Sequence, residues 1–226
     1  MGRPVGYRDI SDAIAPTGMV TRGGFATGPH DTLTMPDGQA VRCVVVVGNV
    51  GTTMWPHFRA EQPAEAHPLD TWTRATLGPI AATMGAAFVH PSDEPFQPFQ
   101  RWAQRADDVW QSPIGLLIHG EYGLWHAYRG ALLFSEMVTG IPTIGDAVSP
   151  CLSCADQPCL STCPVDAFTP GGYDAAACAV HVRAGADPDC LHDGCAARRA
   201  CPVGVALVYG ADQMEFHMRA FVGMRA

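Results

Sequence analysis

The sequence contains no lysine; its 14 basic residues are all arginine. That excludes chemistry resting on a primary side-chain amine, such as a Schiff-base lysine or the lysine of a phosphate-binding P-loop. Charged residues are sparse at 16%, and acids outnumber bases to give a formal net charge of −8. That balance repels a phosphate backbone, so no nucleic-acid partner is expected. No apolar run approaches the roughly 18–20 residues that cross a bilayer, so no membrane partner is expected either. The opening MGRPVGYRDI has no apolar export core. Gly6 stands where a myristoylation signal wants Ser or Thr. A cytoplasmic location is the expectation. Repeats of roughly 20–50 residues are also missing, as are low-complexity tracts. Apolar residues, by contrast, make up 47% of the 226. That is enough for one or two domains with a core, and it excludes disordered, collagenous and coiled-coil classes.

Cysteine is unevenly distributed. Of nine, eight fall between residues 151 and 201, and only Cys43 lies elsewhere. Disulfides need an oxidising compartment, which nothing here signals, whereas clustered thiols in a reducing one point to metal. The first set is Cys151-x2-Cys154-x4-Cys159-x3-Cys163-Pro164. It matches the ferredoxin run C-x2-C-x2-C-x3-C-P with two extra residues before Cys159. The second set, Cys178, Cys190, Cys195 and Cys201-Pro202, is looser, with spacings of x11, x4 and x5. A cubane needs four thiolates around a volume too large for one tight turn, so three come from a local loop and one from a distant segment. Eight cysteines suit two [4Fe–4S] clusters. By analogy with the two-cluster pattern, Cys151, Cys154, Cys159 and Cys201 hold one, and Cys163, Cys178, Cys190 and Cys195 the other. Zinc is the competing reading, since Cys-x2-Cys pairs also bind it. His181 and His192 lie near enough in sequence to replace a thiolate, but read first as solvated loop histidines. Arg198 and Arg199 sit between two ligands, where they could raise a cluster potential or simply face solvent. Cys43 reads as a small buried hydrophobe.

The chain divides near residue 150. Residues 1–150 read as an α/β cofactor-binding domain. Val41–Val47 is a β-branched run too short for a typical helix and reads as a buried strand. Asp70 is the expected N-cap of a helix from Thr71 to Met84, closed by Gly85 and disturbed by Pro79. Further strands are expected at Ala86–His90, Ile114–Ile118 and Arg129–Phe134. A short helix at Gln97–Asp108 carries Trp102. The alternation of strands and helices predicts a sheet with helices on its faces. In residues 151–210, Cys, Pro and Gly dominate and periodicity fades, so this stretch needs a cofactor in place of a hydrophobic core. In residues 211–226, Met214, Met218, Phe221 and Val222 recur at helical spacing, predicting a helix packed back on the body.

The segment Ile114–Phe134, IGLLIHGEYGLWHAYRGALLF, is a second constellation. A strand runs into His119. A turn with Gly120 and Gly123 lets a flat ligand approach the backbone, and Trp125 and Arg129 can stack on it or hydrogen-bond it. A hairpin with a buried Trp and a satisfied His fits the same residues. Together with Gly85-Ala86-Ala87-Phe88, the pattern Ile118-His119-x-x-Tyr122-Gly123-x-Trp125-x-x-x-Arg129-Gly130 resembles cblC-type cobalamin-processing proteins. Their fold is flavin-reductase-like (nitroreductase-like), and they remove the upper axial ligand of cobalamin. The order of this segment followed by a two-cluster ferredoxin-like module is also similar to epoxyqueuosine reductases and reductive dehalogenases. The likeness spans about residues 70–205. It implies cofactor-binding roles for His119, Gly123, Trp125 and Arg129, and a corrinoid or a flavin as the cofactor. The cblC-type proteins lack the clusters, epoxyqueuosine reductases are much longer, and the catalytic Asp of the latter has no placed counterpart here, so no catalytic residue is assigned.

Three functions follow as expectations. In the first, the clusters deliver single electrons to a corrinoid, or to a flavin, held by residues 1–150; the concrete version is reductive removal of a cobalamin axial ligand. In the second, the chain is a ferredoxin-like carrier with a docking domain, its acidic balance suited to basic electron-donor or acceptor proteins. In the third, the metal only staples the C-terminal segment. A homodimer is expected by analogy alone.

Overall fold

The valine run expected as a strand lies at the centre of a sheet. In the computed structural model, which describes residues 4–224, the chain forms two compact units. Of the described residues, the first comprises 4–108 together with 126–146, and the second 109–125 and 147–224.

The first unit contains α1 (Tyr7–Ile14), β1 (Val20–Ala26), β2 (Cys43–Val50), α2 (Trp55–Ala60), α3 (Pro68–Thr83), β3 (Ala87–Val89) and α4 (Phe99–Ala106). The second contributes β4 (Val109–Gln111) and β5 (Leu117–His119) before the chain returns to the first unit as β6 (His126–Phe134). The sheet of the first unit is antiparallel, ordered β1-β2-β6-β3, with Val47 opposite Gly130 and Ala87 opposite Leu133. Side chains on a strand alternate between faces. Val44 and Val46 pack with Phe25, Trp102, Ala106, Ala131 and Leu133, while Val45 and Val47, equally buried, serve the opposite face. Two covered faces explain why this strand reads as an unbroken apolar run rather than an alternating one. Cys43 is buried within it, and burial pushes its thiol above the usual range. Helix α3 runs through Pro79 and packs on β3 and β6.

Asp70 is not the cap of that helix. Pro68 sets the first helical position, with its fixed φ and missing N–H, and the helix starts earlier, after His67. Asp70 sits in the first turn, where a carboxylate still complements the helix dipole. Strand β1 was not expected: VTRGGFA carries two glycines and little β-branched character.

The second unit contains, beyond β4 and β5, helix α5 (Pro158–Ser161), strands β7 (Phe168–Thr169) and β8 (Gly172–Tyr173), and helices α6 (Ala175–Ala184), α7 (Ala196–Arg199) and α8 (Ala211–Gly223). The expected strand at Ile114–Ile118 begins only at Leu117. Residues 112–116 form the turn of a β4–β5 hairpin, closed by Ser112 N–H to the Leu116 carbonyl at 2.8 Å and Gly115 N–H to the Ser112 carbonyl at 3.0 Å. This hairpin groups with the cysteine-rich segment rather than with the residues before it. Ile114, Ile118 and Leu124 pack against Cys159, Ala197 and Cys201. Helix α8 packs on α6, with Met218 and Val222 against a cluster of Val182, Cys190 and Ala196. Residues 225–226 of the expected terminal helix lie outside the described residues.

Candidate metal centre

The second unit is built around its cysteines. Cys151 lies in a 3₁₀ turn (Pro150–Ser153) whose start is held by Cys151 N–H to Ser149 Oγ at 3.3 Å. Cys154 follows it, its N–H bonded to the Cys151 carbonyl at 3.3 Å. The two residues added to the ferredoxin spacing fall in the turn before α5, where Gln157 adopts a left-handed φ of 38° and the chain re-enters helix so that Cys159 is buried. Cys201 lies beyond α7 and is also buried.

These four cysteines line one recess. Its walls include Ile118, Leu124, Pro158 and Val203. The Cys159 thiol is pushed up first by burial and then by the neighbouring Cys201, Cys151 and Cys154. Burial likewise raises Cys201, against a backbone N–H from Val203 and with Cys151 and Cys154 adding to the rise.

The other four do not line that recess, although Cys163 and Cys195 pack on the same apolar cluster as Cys159 and Cys201. Cys190 is raised by burial, opposed by the Ala196 N–H and by Arg199, with Cys178 and Cys163 as its thiol neighbours. Cys195 is raised by burial and has Cys190 and Cys178 beside it, with the Arg198 and Ala197 N–H groups working the other way. Cys163 Sγ accepts the Ala167 N–H at 3.3 Å. Each thiol set is therefore apolar-walled and supplied with backbone N–H donors, which favour the thiolate that iron requires. Among the described residues, no group of three or more His, Cys, Asp or Glu closes tightly enough around one point to hold a single ion.

His181 is not in a loop. It sits on α6, and its Nε2 donates to the Pro188 carbonyl at 3.1 Å. His192 is exposed, 2.7 Å from the Asp189 carboxylate. The paired arginines differ in their surroundings. Arg199 lies near Cys190, whereas the Arg198 guanidinium is 4.6 Å from the ring centres of both Trp125 and Tyr209 and donates from Nε to the Leu124 carbonyl at 3.1 Å.

Three of the four expected cofactor contacts lie in the second unit. His119 and Gly123 close a tight turn by exchanging backbone hydrogen bonds of 3.0 Å. His119 Nδ1 accepts the N–H groups of Glu121 and Tyr122, at 3.0 and 3.1 Å. That leaves the proton of the neutral ring on Nε2. The ring stacks on Tyr122 at 4.0 Å. Gly123, at φ +57°, is required by protein backbone: a Cβ there would lie 1.9 Å from the Val203 carbonyl. The turn is thus pressed onto the loop that follows Cys201. Trp125 is 1% exposed, packed edge-on to Tyr209.

Arg129 belongs to the first unit, where its Nε donates to Asn49 Oδ1 at 3.0 Å. It lies near a polar group that sequence reasoning did not assemble. Buried His90 has Nε2 3.6 Å from Asp70 Oδ1, its backbone N–H bonds Asp93 at 2.6 Å, and Arg74 pairs with Asp93. Burial drives the His90 pKa down, with Asp70 opposing and Arg74 adding to the fall. The available signal was His90 at the end of an expected strand, which marks a position but not its neighbours.

The described residues form an antiparallel mixed α/β unit and a second unit that holds eight of the nine cysteines. No family model matches the chain, and no curated protein matches it. Among solved structures it is similar to the C. elegans B12-trafficking protein CblC, a homologue of human MMACHC, at 11% identity over 95% of each chain, with a TM-score of 0.54. It is also similar to epoxyqueuosine reductase, at 12% identity over 92% of this chain and 68% of that one, TM-score 0.53. The same enzyme with an epoxyqueuosine-modified tRNA-Tyr stem loop gives 11% identity, the same coverage and a TM-score of 0.54. At these identities the likeness is one of fold. It agrees with the expected kinship to cobalamin-processing proteins and epoxyqueuosine reductase at that level. No described helix is long and apolar enough to cross a membrane.

Proposed function

We propose that the chain is an iron–sulfur redox protein that passes single electrons to a bound corrinoid, in reductive cobalamin processing. The observation that carries the first half is the recess lined by Cys151, Cys154, Cys159 and Cys201, with Cys163, Cys178, Cys190 and Cys195 outside its lining. We take the division from the two-cluster ferredoxin pattern. Thiols that line a recess without closing on one point suit a cubane, which is larger than an ion. Bound clusters would supply one-electron chemistry at potentials set by charge, hydrogen bonds and exposure. The residues fit that role: buried and half-buried thiols, apolar walls that limit water, and backbone N–H donors to sulfur.

The second half is supported by fold, since a B12-trafficking protein matches over 95% of both chains. His119 is the side chain of the second unit that we assign to the acceptor, and the assignment of Arg129 rests on the resemblance alone. Gly123 and Trp125 act indirectly, through the turn and its packing. The net charge of −8 favours a small-molecule acceptor over the tRNA held by the reductase neighbour.

Adding hydroxocobalamin to the anaerobically purified, reduced protein tests the reading. A change in the cobalamin visible spectrum with quenching of tryptophan fluorescence is expected. An unchanged spectrum and unquenched fluorescence, with clusters present, would leave an electron carrier that has no corrinoid partner.

A further inference from the structure

One polar atom at the first thiol set has nothing to bond. Ser112 is 5% exposed, and its Oγ has no hydrogen-bond partner. A buried hydroxyl in that state is costly and calls for an explanation. Its position supplies one. Ser112 opens the β4–β5 turn with both backbone groups engaged, its N–H to Leu116 and its carbonyl to Gly115, so the residue is held in place. It lines the same recess as Cys151, Cys154, Cys159 and Cys201. Among the described residues, Ser112 and Gln157 are the ones besides those cysteines that bring polar side chains to that recess.

We infer that the Ser112 hydroxyl donates a hydrogen bond to a sulfur of the cluster held by these four cysteines, and so sets that cluster's reduction potential. The inference rests on the cluster reading given above. The physical basis is charge. Reduction adds an electron to the cluster and spreads negative charge over its sulfurs, and a fixed O–H dipole aimed at one of them stabilises the reduced form more than the oxidised form. Ser112 is a tuning residue on this account: it carries no electron and need not hold iron. The second set, Cys163, Cys178, Cys190 and Cys195, lies outside the recess, so the two clusters are expected to respond differently.

The test compares the full chain with Ser112→Ala and Ser112→Thr, all purified without oxygen. Iron and acid-labile sulfide are assayed first, followed by a redox titration monitored by electron paramagnetic resonance. Ser112→Ala is expected to keep its iron and sulfide while the midpoint of one centre moves to a more negative potential and the other stays fixed. Ser112→Thr, which keeps the hydroxyl, is expected to hold the midpoint near the wild-type value. In the same samples exchanged into deuterium oxide, one exchangeable coupling to the reduced cluster should vanish in Ser112→Ala and persist in Ser112→Thr. Full cluster content in Ser112→Ala with both midpoints and all couplings unchanged overturns the inference and leaves the cluster reading standing. Absence of sulfide from the wild-type protein overturns both.

Discussion

In the first unit, β2 buries seven of its eight residues and is hydrogen-bonded along both edges, by β1 and β6. In the second unit, no described strand exceeds three residues, and the buried cluster at its centre includes Cys159 and Cys201 among Ile114, Ile118 and Leu124. The first unit has a buried apolar core against its sheet. The second has short elements, tight turns and thiols where a core would place Leu or Phe. The contrast teaches that burial holds the first unit, whereas the proposed clusters would supply the second with the cohesion its short elements lack.

The comparison can be broken most decisively by removing a ligand. Cys159→Ala, or iron chelation, is expected to abolish amide-exchange protection through the second unit while β2 and β6 stay protected. Protection retained between residues 150 and 201 without iron would mean that the thiols are ordinary filling. The converse change is Leu132→Ala, at a side chain with no exposure. It is expected to destabilise the first unit by about 2–5 kcal/mol in denaturant unfolding and to leave iron content per chain unchanged. Gly123→Ala asks for less. A methyl group driven against the Val203 carbonyl at a positive φ should cost more than about 1 kcal/mol and lower sulfide retention during aerobic dialysis relative to wild type.

The smallest effect belongs to pH. His90 is held below the ordinary histidine value of about 6.5, chiefly by burial. The unfolded chain therefore binds this proton more readily than the folded one. Stability from this group is fully present above pH 6.5 or so and is lost as pH falls, by at most about 1.4 kcal/mol per pH unit. Thermal unfolding between about pH 6.5 and 5 should show that slope in wild type and a flatter one in His90→Gln. Asp93 lies in a separate window. Its own burial is outweighed by the His90 N–H and Arg74, which hold it low, so its contribution disappears only below about pH 4.

Legibility in the sequence followed the same division. The valine run, the Ala87–Val89 strand, the β6 strand and Trp102 on its helix could be read because burial leaves a periodic trace. Asp70 was misread because a serviceable cap residue carries no sign that Pro68 has already opened the helix. Strand β1 left almost no trace in VTRGGFA. In the second unit, the division of eight thiols came by analogy with the two-cluster pattern; in the fold Cys159 has Cys201, Cys151 and Cys154 as neighbours. What spacing could not convey was which apolar segment walls the first recess. The β4–β5 hairpin reaches it from residues 109–125, a long way back in sequence, and brings Ser112 with it. Cross-chain packing of that kind, like the meeting of His90 with Asp70, depends on tertiary structure that no local pattern encodes.

The most direct test of the central claim is an assay of iron and acid-labile sulfide on protein made and purified without oxygen. Two cubanes on eight thiolates require about eight iron and about eight sulfide per chain, and that stoichiometry is the expected result. Material with intact thiols and no inorganic sulfide would contradict the account.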